Sequence, residues 1–270
     1  MNAFSQWLDS VISTTGWTMT VPKAYGTFHI LFMLIGFTAC AVAAWRLRKL
    51  SEKGRRILLF SIGLFLLVCE VYKQLFYYYY INENTYAWWI FPFQLCSVPM
   101  YLCLIAPLLK PGKVQKAMFS FMTFYNLMGG AISFAEPSGL FHGYWTLTIH
   151  ALLWHMLLVF IGLYLYFSGS CGHTTKDYRS STVTFLCLCG IAFAINLALR
   201  DVSAGSVNMF FVGPSNSSLI VFKQISEMFG WYVSTALYIP AVCLGAYVCF
   251  LPAYFLHKRK QKASEAAAVN

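Results

Sequence analysis

Phe91-Pro92-Phe93-Gln94-Leu95-Cys96-Ser97-Val98-Pro99 opens an apolar run that continues to about residue 109. Whether this run crosses a bilayer or fills a soluble core decides the fold. Of the 270 residues, 59% are hydrophobic and 10% are charged. A soluble domain carries roughly a quarter charged residues. The apolar residues come in blocks of about 20, the length that spans a bilayer core. The chain therefore reads as a polytopic membrane protein.

The runs lie at about 24–45, 57–79, 87–109, 115–134, 145–167, 181–199 and 231–256. The expected fold is an all-α bundle of seven transmembrane helices. Residues 1–23 read as an interfacial lead-in with Trp7 and Trp17, residues 24–257 as the seven-helix domain, and residues 258–270 as a basic tail. No secretory signal is expected, because the first 20 residues lack a basic segment followed by an apolar one.

The formal net charge is +10. Its distribution argues for topology rather than nucleic-acid binding. Arg46 to Arg56, then Lys110, Lys113 and Lys116, then Lys176 and Arg179, then Lys258 to Lys262 all fall at one end of the runs. Basic residues mark the cytoplasmic side, so the N-terminus is expected outside, the C-terminus in the cytoplasm and the chain in the cell membrane. The segment from Arg200 to Gly230 is the longest outer connection. It is long enough to fold back as a lid or re-entrant piece, which is tolerated where protein or a wet cavity covers the backbone.

Ionisable groups inside a span are costly and each asks for a reason. By the ~1.5 Å helical rise, Cys96 lies roughly 12 to 14 Å below the outer end of the third run, and His155 lies at about the same depth in the fifth. Asn126, Glu70 and Lys73 also fall in the outer half, with His29, His150 and Asn196 nearer the rim. This shared depth suggests one polar cavity. Glu70 and Lys73, three apart, share a helix face. They serve either as a neutralised ion pair or to orient a head group or histidine. Asn126 serves either an interhelical hydrogen bond beside Gly129 and Gly130 or a substrate. His150 and His155 point about 140° apart on a helix, which disfavours a shared metal.

Nine cysteines sit mostly in apolar runs, where a free thiol behaves as a small hydrophobe. Cys96 differs in its polar neighbours Gln94 and Ser97 and in its depth match with His155. A thiol needs a base or a positive neighbour to become a useful thiolate. Cys96 with His155 could make and break a thioester, with Gln94 or Asn126 donating to the oxyanion.

Phe93-Gln94-Leu95-Cys96-Ser97-Val98, Asn126, and Ile149 to His155 running into Leu163-Tyr164 resemble the YwaF-like family of bacterial multi-pass integral membrane proteins. That family is similar to a eukaryotic multi-pass acyltransferase that moves acyl chains onto ether phospholipids through an acyl-cysteine. The resemblance covers most of the seven runs. It implies that Cys96 carries the acyl group and that His155, nine residues before Tyr164, is the family histidine. Asn208, within Ser206-Val207-Asn208-Met209-Phe210, falls in a stretch like the family's asparagine-aromatic segment. Bacterial relatives often have an acidic residue after the cysteine, where this chain has Ser97.

The expected function is lipid acyl transfer or lipid hydrolysis in the outer half of the membrane, with membrane lipids as partners and neither metal nor cofactor. The alternative is a small-molecule transporter or binding protein whose cavity uses Glu70, Lys73, His29 and Asn196. A haem site with histidines from the first and fifth runs is a lesser third reading.

Overall fold

The computed structural model describes residues 3–269, with side chains through residue 265. Five of its helices are long and apolar enough to cross a membrane: α2 (Thr27–Leu47), α3 (Glu52–Leu75, prolonged by a π-helical turn Phe76–Ile81), α7 (Trp145–Phe167), α8 (Thr175–Ala198) and α10 (Trp231–Val269). The shorter helices are α1 (Ala3–Ser13), α4 (Val98–Ile105), α5 (Lys113–Phe121), α6 (Leu127–Ala135) and α9 (Ile220–Phe229). All regular structure among the described residues is helical.

Local chemistry sets the helix starts. Ser51 accepts from the Gly54 N–H at 3.2 Å, and Glu52 occupies the first turn of α3, both favourable at a helix N-terminus. Thr174 and Asp177 form a reciprocal capping box that opens α8.

α7 is the central helix. Its apolar window is 61% buried, against 28% or less for the other four. It packs on α2, α3 and α6. The α6 approach depends on Gly130: a Cβ there would lie 3.1 Å from the His155 carbonyl oxygen and 3.0 Å from Leu158 Cβ. Gly129, its expected companion in this role, faces open space. Outward residues of the long helices, such as Leu34, Ile35 and Leu244, are exposed apolar side chains. An exposed apolar belt of this kind suits lipid rather than water.

Two of the expected runs are not simple helices. The fourth is α5 and α6 joined by a π-helical turn, Met122–Asn126. Thr123 at this turn donates back to the Phe119 carbonyl at 2.9 Å. The third is broken. A short 3-10 turn, Trp88–Ile90, leads into irregular backbone through residues 91–97, and regular helix begins only at Val98. Pro92 and Pro99 bracket the break. Proline has no N–H to donate and disfavours helical geometry in the residue before it.

Candidate functional site

Cys96 therefore sits on irregular backbone, and long-range bonds hold that backbone in place. The Trp154 indole of α7 donates to the Cys96 carbonyl at 2.9 Å. Asn126, at the end of the π turn, donates to the Leu95 carbonyl at 3.2 Å. Gln94 reaches the loop between α8 and α9 from both ends of its amide: Nε2 donates to the Asn208 carbonyl at 3.0 Å, and Oε1 accepts from the Phe210 N–H at 2.9 Å.

The loop between α8 and α9 is fixed in turn by Asn196 and Asn208. Asn196 is fully buried; its Nδ2 donates to the Met209 and Gly213 carbonyls at 3.0 and 2.9 Å, and its Oδ1 accepts from the Met209 N–H at 2.6 Å. Asn208 donates to the Ser215 and Asn216 carbonyls at 3.2 and 3.0 Å. Phe210 and Phe211 both take left-handed backbone, with φ of 55°. That region is unusual for bulky side chains and persists only where surroundings enforce it. The loop is thus a fixed cover over the Cys96 stretch, and α9 follows it as an amphipathic helix packed on α10.

His155 places its Nδ1 2.8 Å from the Ala151 carbonyl. A carbonyl only accepts, so neutral His155 carries its proton on Nδ1 and keeps the Nε2 lone pair free to take one. His155 and Cys96 are both half-buried. His150 stacks on the Trp154 ring, with centroids 5.3 Å apart, and its buried Nε2 has no hydrogen-bond partner.

Glu70 accepts from Lys73 at 2.9 Å and from Gln74 Nε2 at 2.6 Å, and the same Gln74 nitrogen donates to the Ile90 carbonyl at 2.8 Å. The ion pair is thereby tied to the turn that leads into the Cys96 stretch. The Lys73 ammonium lies within electrostatic range of Cys96, His155, His150 and His142. For His142, in the loop before α7, burial pushes the imidazole pKa below its ordinary value and the Lys73 charge adds to the depression.

Cys96, Gln94, Asn126, Asn208 and Asn196 thus belong to one bonded assembly with Trp154. Glu70, Lys73 and the two α7 histidines are linked to it through Gln74 or through the Lys73 field. His29 is not part of it. His29 is fully buried near the start of α2, accepts from the Tyr25 N–H at 3.0 Å, and packs against Phe134 and Phe141. Sequence reasoning missed Trp154 and Gln74. Gln74 could have been found, since it lies four residues after Glu70 on the same helix face. Trp154 carried no such signal, being 58 residues from its partner. No cluster of three or more metal-ligating side chains occurs among the described residues.

Residues 24–251 match the TMEM164 family. No curated protein and no solved structure matches the chain.

Proposed function

The chain belongs to the TMEM164 family of multi-pass membrane proteins, and we propose that it transfers acyl groups between membrane lipids through a thioester on Cys96. The observation that carries this reading is the irregular Cys96 backbone, tied to α7 through Trp154 one residue before His155. The likeness of the Cys96 and His155 stretches to YwaF-like proteins supports the same pair.

In the proposed reaction, His155 Nε2 takes the Cys96 proton. The thiolate attacks a lipid ester carbonyl. The C–O bond then breaks, and the departing lipid alcohol takes its proton back from His155. A second lipid alcohol gives its proton to His155, attacks the thioester carbon and releases the Cys96 thiolate; with water in its place, the outcome is hydrolysis. Gln94 Nε2 and Asn126 Nδ2 each use one N–H on a backbone carbonyl. Each retains a second N–H that can meet a developing oxyanion. Ser97 supplies a hydroxyl beside Cys96 where relatives carry an acid.

The topology proposed with it has seven crossings. The broken third run and the α5–π–α6 helix add two to the five long helices, with the N-terminus outside and the site in the outer half of the cell membrane.

Intact-protein mass spectrometry of membrane-extracted wild type should detect an added acyl chain that hydroxylamine removes. Cys96→Ser should abolish the hydroxylamine-sensitive adduct, and His155→Gln should cut its formation about 100-fold or more. Unchanged acylation in Cys96→Ser would sink the proposal. Unchanged cellular lipids together with altered solute uptake in Cys96→Ala would point to a transporter instead.

A further inference from the structure

The other end of the bundle holds a second polar feature that the acyl chemistry does not use. A cleft of about 440 Å³ opens between the start of α3, the start of α5 and the α7–α8 turn. Arg55, Lys113 and Lys116 line it, with Gly112, Phe119 and Ser170. Arg55 and Lys73 are 18 positions apart on α3, so the cleft lies roughly 27 Å along the helix from the Lys73 charge. It is a separate place from the Cys96 assembly and does not rest on the reading given for it.

Its charge is poorly balanced. Lys116 pairs with Asp177 at 2.9 Å. No carboxylate partner stands against Arg55 or Lys113 among the described ion pairs. Arg55 donates from Nη1 to the Ser170 hydroxyl at 3.1 Å and lies over the Phe119 ring at 5.8 Å. Its Nε is buried without a hydrogen-bond partner. A buried guanidinium donor without an acceptor is costly unless something accepts from it. The N-terminus of α5 adds to this, since no side chain caps it and helix N-termini attract anions.

We propose that this cleft binds the phosphate group of an anionic phospholipid. Phosphate matches the guanidinium fork and the flanking ammonium groups. The rim favours a lipid over a free solute. Leu108 and Val114, on either side of the Pro111-Gly112 turn, are 71% and 63% exposed. Acyl chains can cover these apolar side chains while the head group enters the cleft. Basic pockets between transmembrane helices take anionic head groups in this way.

The test is native mass spectrometry of the full-length protein in mild detergent, with phosphatidylglycerol or phosphatidylcholine of identical chains. Wild type should retain phosphatidylglycerol over phosphatidylcholine. Arg55→Gln and Lys113→Gln should each reduce bound phosphatidylglycerol about fivefold, while Lys53→Gln, an exposed lysine at the same end, should leave it unchanged. Displacement by inorganic phosphate would keep the phosphate site but assign it to a soluble ligand; persistence of the lipid supports the membrane source. Equal retention of the two lipids by wild type would overturn the proposal. So would wild-type retention in a folded Arg55→Gln/Lys113→Gln protein. Should Arg55→Gln fail to fold, the exposed Lys113 alone carries the test.

Discussion

Glu70 is the most constrained ionised side chain near the candidate site. It is 3% exposed and its Lys73 partner 19%, so neither charge is well solvated. Removing one partner of such a pair strands the other, at a cost of about 3–5 kcal/mol, whereas removing both charges together is often nearly neutral. Lys73→Met should therefore lower thermal stability in detergent sharply, and Glu70→Gln/Lys73→Met should recover most of the loss. Additive single and double costs would show that the two charges are independent. The spacing of Glu70 and Lys73 announced their pairing, because three residues on a helix is a contact distance. The links from Trp154 to Cys96 and from Gln94 to Phe210 were not legible. They join residues 58 and 116 positions apart, and no local pattern encodes which distant carbonyl an amide will find.

At the scale of elements, close packing of α6 on α7 distinguishes two adjacent glycines. Gly130→Ala should destabilise by about 1–3 kcal/mol, because its Cβ meets helix backbone that is slow to yield. Gly129→Ala meets nothing within 4 Å and should stabilise by roughly 0.5–1 kcal/mol through the lower chain entropy of alanine. Thermal unfolding of the two variants measures this contrast, and effects of the same sign would refute it. Apolar length made the five long helices readable in advance. The break at residues 91–97 was written in Pro92 and Pro99, yet hydropathy alone reads straight through it. The π turn at Met122–Asn126 left no comparable trace, since a one-residue shift in helix bonding changes neither length nor composition.

For the whole molecule, the basic loops and the polar Cys96 assembly lie at opposite ends of the bundle. That polarity underlies the proposed orientation. Small epitope tags at the two termini, probed in intact and in permeabilised cells, should show the N-terminal tag accessible in both and the C-terminal tag only after permeabilisation. Termini on the same side would require an even number of crossings and would overturn the count of seven. The candidate site itself was partly legible. Depth matching grouped Asn126 with the Cys96 stretch, whose Leu95 carbonyl it bonds, but it also drew in His29, which the fold places in an aromatic pocket of its own.

The loop between α8 and α9 and the Cys96 stretch are joined by side-chain amides that grip main-chain atoms. This makes tolerance to substitution lopsided across each bond. An acceptor such as the Leu95 carbonyl survives any replacement that keeps the backbone path, whereas Asn126, its donor, has no substitute that reaches with the same group. Natural variants and saturation libraries should therefore drift freely among apolar residues at position 95 while holding asparagine at 126 and 196.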